Sequence, residues 1–138
     1  MYTYDYYIRQ FQQARKFIKQ LDQDVSEAAF ITAPKPGKWC VGEIIQHLNL
    51  SAEVYLPVLS KAIEEAPQDL KYGGEPFKLG FLMRRFLDLV KPETKSKIPT
   101  YPKLKPTQKD ELNREIIVQT FLGVQDELLA LIKMSKTE

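Results

Sequence analysis

Histidine, tryptophan and cysteine each occur once in this 138-residue chain, and that scarcity removes several kinds of chemistry. A lone Cys40 rules out an internal disulfide and fits a reducing compartment, so a cytoplasmic location is expected. One histidine and one cysteine cannot make the paired Cys/His spacings of a zinc finger, and no glycine-rich phosphate loop occurs. No window approaches the roughly 18 apolar residues that a membrane span needs. The first ten residues, MYTYDYYIRQ, have neither a basic n-region nor an apolar h-region. No signal peptide is therefore expected, and no membrane partner.

What is present is ordinary for a folded protein: 43% hydrophobic and 28% charged residues, enough for one domain over 1–138 with one core. The net charge of +2 conceals an asymmetry. Residues 1–77 carry 8 basic and 10 acidic groups, and residues 110–138 carry 3 and 6. Between them, residues 78–109 carry 9 basic groups against 2 acidic ones: Lys78, Arg84, Arg85, Lys91, Lys95, Lys97, Lys103, Lys105 and Lys109. An anionic partner such as nucleic acid is one reading of this block. A solvated, lysine-rich loop is the other and the expected one, because four prolines interrupt the segment and no array of aromatics accompanies the charges.

Apolar spacing predicts an all-α chain. Ile8, Phe11, Ile18, Leu21 and Val25 recur three to seven apart over residues 5–25, which makes an amphipathic helix. Ala33–Pro34–Lys35–Pro36–Gly37 then breaks the pattern. A second helix is expected over about 40–66, with Val41, Ile44, Ile45, Leu48, Ala52, Tyr55, Leu59 and Ile63 as its stripe and Pro57 as a source of bending. Residues 67–76 read as a loop. A short, strongly apolar helix over about 79–90 is expected to be buried on two sides. The prolines of residues 91–107 make that stretch an extended connector, and a last helix is expected over about 108–133. No strand-like alternation and no internal repeat is found, so the architecture expected is a helical bundle of three long helices and one short one.

The chemistry-bearing residues gather where the second helix starts. On a helical wheel His47 falls beside the Ile44–Leu48–Tyr55–Leu59 stripe, bordering the core. From there a ring nitrogen can serve a metal in a bundle cavity, with Glu43, one turn earlier, as the partner that fixes the other nitrogen. Taken alone, such a histidine is more often hydrogen-bonded packing than a ligand, and Trp39 more often a core anchor than a substrate platform. Cys40 at the helix start is either a thiol with lowered pKa, able to act as a nucleophile, or a buried structural cysteine. The second reading is the expected one.

Residues 34–48, Pro–Lys–Pro–Gly–Lys–Trp–Cys–Val–Gly–Glu–Ile–Ile–Gln–His–Leu, resemble the DinB-like (YfiT-like) superfamily, whose hallmark is Trp–Ser/Thr–x–x–Glu–Ile–x–x–His–Leu after a Pro/Lys-rich lead-in. Trp39, Glu43, Ile44, His47 and Leu48 match it position by position. The resemblance implies a four-helix bundle holding a divalent metal (Zn, Ni, Mn or Fe) on three histidines. The first would be His47 and the other two a His–x–x–x–His pair on the last helix. It also implies metal-dependent hydrolase, or thiol-dependent transferase or isomerase, activity, with the metal lowering the pKa of a bound water or thiol.

Three departures set this chain apart. A fourth helix carrying both remaining ligands is expected to begin after Met134, and the sequence ends at Glu138. Gln119 and Gly123, the i, i+4 pair expected near a core-facing position of the last helix, are not transition-metal ligands. Cys40 replaces the capping hydroxyl, and a thiol caps poorly. The expected metal site is therefore weak or absent in this chain, and whether it is an enzyme is left open. The alternative is a non-catalytic bundle that binds a small molecule or assembles with partners. Broad apolar faces without a fourth helix leave a groove, which a second chain, as a homodimer or helix swap, or a helix outside this sequence is expected to cover.

Overall fold

The helices of this chain begin where side chains can take up the first free N–H groups. A computed structural model describes residues 1–67, 74–91, 93, 99–106 and 112–136. The Thr3 hydroxyl accepts from Tyr6 N–H at 3.1 Å and opens α1, Tyr4–Asp24. Ser26 does the same for the five-residue α2, Glu27–Ile31, through Ala29 N–H at 3.1 Å, and the Asn113 carboxamide for α5, Arg114–Ser135, through Ile116 N–H at 3.1 Å. At the start of α3, Val41–Glu64, Glu43 Oε1 accepts Cys40 N–H at 3.0 Å. The thiol faces the Glu43 N–H, so the capping box closes with sulfur in place of a hydroxyl. α4, Phe81–Val90, follows Gly80 and has no side-chain cap.

α5 is the central helix, packed against α3 on one side and α1 on the other. Ile117, Val118, Phe121 and Leu122 of α5 meet Ile18 of α1, Phe30 of α2 and Ile45 of α3 in a single buried cluster. The buried Asn49 carboxamide donates to Ile117 O at 3.0 Å and ties α3 to α5. Arg114 holds the opposite end together. Its guanidinium donates to the Asp22 carboxylate at 2.8 Å and to the Asp22 carbonyl, and it lies 4.9 Å from the Phe30 ring centre. At the other pole, Tyr4 OH donates to Ser135 O at 3.0 Å, and Phe77 packs edge-on against Tyr4.

The expectation of three long helices and one short helix holds, and among the described residues there is no strand. α3 runs without interruption through Pro57. Four expectations need correction. The apolar stripe of α3 is split: Ile45 is buried against α5, whereas Ile44, Leu48, Tyr55 and Leu59 are exposed. α4 is not buried on two sides; none of its residues is buried, and Phe81 and Leu82 are 76% and 82% exposed. Apolar content measures how much surface would gain by burial, and α4 lacks the packing neighbour that would provide it. Phe30, fully buried, lies on α2, a helix too short for any periodic signal. The last helix starts at Arg114, with Leu112 and Asn113 non-helical; residues 107–111, where an earlier start was expected, lie outside the described residues. Of the connector expected to be extended, residues 99–106 are described, and Pro102–Leu104 form a 3-10 turn, η1, that packs on α3. No described helix is long and apolar enough to cross a membrane.

Candidate functional site

His47 is held by groups that the sequence did not single out. Its Nδ1 lies 2.7 Å from Leu104 O, contributed by η1 from 57 positions away. A carbonyl oxygen can only accept, so Nδ1 carries the proton, and in the neutral ring the lone pair belongs to Nε2. The imidazole also lies against Trp39, with ring centres 5.1 Å apart. Glu43 was expected to be the histidine's partner; its Oε1 instead accepts Cys40 N–H in the cap, and Leu104 takes that role. No sequence signal could mark Leu104, because a backbone carbonyl has no residue-type signature.

The expected position of His47 at the border of the core also needs correction. Ile45 marks the α5-facing side of α3, and two residues on, His47 is turned about 160° away from it. The ring is half-buried because Trp39 and η1 cover it, not because the bundle does. Gln119 and Gly123 of α5 are both exposed and so do not face a core. Among the described residues no group of three or more His, Cys, Asp or Glu is placed to hold a metal ion. Among the described residues, His47 is therefore not joined by the further ligands that the resemblance implies. One imidazole is present where such ions take three or four protein ligands, and the nearest carboxylate on α3 is engaged in a cap.

Cys40 is fully buried, and burial pushes its thiol above the ordinary value, more than the nearby N–H groups lower it. A protonated, inaccessible thiol is not a nucleophile. The structural reading of this residue stands.

Away from His47 lies an apolar concave feature. α5 separates α1 from α3, and the space between those two helices is a groove with α5 as its floor. Its upper part, about 450 Å³, is lined by Phe11 and Ala14 of α1, Leu48, Ala52 and Tyr55 of α3 and Phe121 of α5. Its lower part, about 340 Å³, continues past Leu59 and Ile63 to Leu128 and Ile132. Tyr7 borders this lower end, and burial raises its phenol pKa, keeping it neutral. Leu48, Ala52, Tyr55, Leu59 and Ile63, which the sequence assigned to one core stripe of α3 with Ile45, thus line an open channel instead.

The basic block can be placed in part. Lys78, Arg84, Arg85, Lys91, Lys103 and Lys105 are exposed, while Lys95, Lys97 and Lys109 lie outside the described residues. Lys91 pairs with Asp88 one turn earlier on α4 at 2.7 Å, which lowers the aspartate's pKa and raises the lysine's.

A family model described as the DinB superfamily matches residues 10–138. No curated protein and no solved structure matches the chain.

Proposed function

This chain belongs to the DinB superfamily, and on that premise we propose that it works as an oligomeric bundle module. Its α1–α3 groove is closed by a second copy of the chain, and the protomer is not a self-contained metal-dependent hydrolase or transferase. The observation that carries this reading is the groove itself. Leu48, Tyr55 and Leu59 stand 44%, 60% and 43% exposed along one wall, and a contiguous apolar channel of this kind on a soluble domain marks an interaction site.

Light scattering on the purified protein tests the reading. A dimer at micromolar concentration that does not bind an apolar-surface dye is expected. A monodisperse monomer would overturn it.

One specific contact favours a second reading, in which His47 is one ligand of a divalent metal (Zn, Ni, Mn or Fe). The Nδ1–H to carbonyl bond is the kind of contact that orients a ligating imidazole and leaves Nε2 for the ion. The remaining ligands would have to come from another chain or from outside the described residues. Metal analysis and titration of wild type and His47→Ala decide it: a stoichiometry near zero for both removes the metal reading and leaves the module reading intact.

A further inference from the structure

Among the described residues, α4 has an apolar face that no other helix packs on extensively. At 100° per residue, Leu82, Met83, Phe86, Leu89 and Val90 fall within about 120° of arc, and Arg84, Arg85 and Asp88 fall on the opposite side. Phe86, Leu89 and Val90 are 51%, 42% and 50% exposed, and α4 packs on no other helix to the extent that α1 and α3 pack on α5. Among the described residues, the chain therefore presents an open apolar helix face and an open apolar groove. We infer that α4 of one copy lies in the α1–α3 groove of a second copy, and reciprocally. This rests on the dimeric reading above and names the element that closes the groove.

Three observations select this occupant. The first is length. The apolar wall from Leu48 to Ile63 extends about 22 Å along α3, and the ten residues of α4 span about 15 Å, so the helix fits lengthwise. The second is position. Phe77 N–H donates to Tyr2 O at 2.6 Å, and its ring packs on Tyr4 and Tyr7. The chain thus leaves the bundle beside the groove's lower mouth, which Tyr7 borders. α4 does not enter the groove of its own protomer, whose lining among the described residues comes from α1, α3 and α5.

The third is charge. Residues 78–109 carry 9 basic and 2 acidic groups, while the remaining residues carry 11 basic and 16 acidic groups. An exchange lays Arg84, Arg85 and Lys91 of each copy beside the bundle of the other, whose charge outside residues 78–109 is net acidic. Five side chains of roughly 100 Å² each, matched by groove surface and counted at both sites, bury about 2,000 Å², above the size of a stable interface.

Disulfide trapping tests the exchange. Phe86→Cys is placed on α4 of one chain and Ala52→Cys in the groove of another; the native Cys40 is buried and does not interfere. Mixing the two variants under mild oxidation should give a covalent dimer that neither gives alone. With both substitutions in one chain, an internal disulfide at monomer mass would show α4 closing its own groove and overturn the exchange. A dimer by light scattering that does not cross-link in the mixture would also overturn it while leaving the groove dimer in place; a monomer would sink both.

Leu82→Asp with Phe86→Asp gives an independent reading, since neither side chain is buried in the protomer. Unchanged helicity with loss of the dimer is expected, and an unchanged dimer counts against the exchange. Transfer of the wild-type chain onto vesicles of anionic phospholipid, with loss of the dimer, would identify a lipid surface as the partner of α4 and likewise overturn it.

Discussion

Gly42 shows how a single position in the Trp39–Leu48 stretch can be fixed by packing. A Cβ there would lie 2.6 Å from Phe30 Cε1 and 3.2 Å from Leu112 Cδ1, and the Phe30 ring is fully buried. Gly42→Ala should therefore lower stability by about 1–3 kcal/mol through overpacking, although alanine is the better helix former. Urea denaturation of Gly42→Ala, alone and with Phe30→Leu, checks this. The second substitution should recover part of the loss, and an equal or larger loss in the double variant would count against a clash with the ring.

Two positions away, Cys40 should resist iodoacetamide in the native protein and react only on unfolding. Its thiol has a raised pKa when folded, so the unfolded chain ionises first as pH rises. Stability is then unaffected below about pH 8.5 and falls above it. Cys40→Ala should flatten that alkaline limb, as read from melting temperatures between pH 7 and 10.

Among the elements, α5 determines most of the arrangement, and Arg114 is the side chain that fixes its first turn to the end of α1. The guanidinium is 16% exposed and bonded to Asp22, with Glu27 at 3.4 Å. Losing charge-assisted bonds of this kind costs about 1.5–3 kcal/mol, so Arg114→Ala should destabilise by that amount. Arg15→Ala should cost under about 1 kcal/mol, because its Asp126 partner is 59% exposed. Hydrogen exchange localises the effect: faster exchange at the start of α5 and in α2 is expected for Arg114→Ala, and uniform loss would argue against a local tether.

Element boundaries were largely readable in the sequence. The Pro34–Gly37 break, the Trp39–Leu48 stretch and the apolar spacing of α1 and α3 placed the long helices within a few residues. The neighbours were not readable. Periodicity states that a face is apolar, but Leu48 and Ile45 look alike until α5 is seen to cover one and leave the other open. His47 illustrates the same gap, since its controlling contact is a carbonyl 57 residues away.

At the scale of the whole molecule, α1 and α3 flank α5 and, among the described residues, leave the groove between them open. Leu48, Tyr55 and Leu59 therefore stay 44%, 60% and 43% exposed along that groove. Placing a second chain against that surface makes folding and association one equilibrium, with stability set partly by concentration. A tenfold rise in concentration adds about 1.4 kcal/mol per dimer, which for two unfolding chains of this length raises Tm by about 2–3 °C. Melts from 2 to 200 μM should therefore move upward by about 4–6 °C in wild type. They should lose that slope in Leu82→Asp/Phe86→Asp, where the groove has lost its occupant. A concentration-independent Tm in wild type would mean that each chain is stable with its groove open to water.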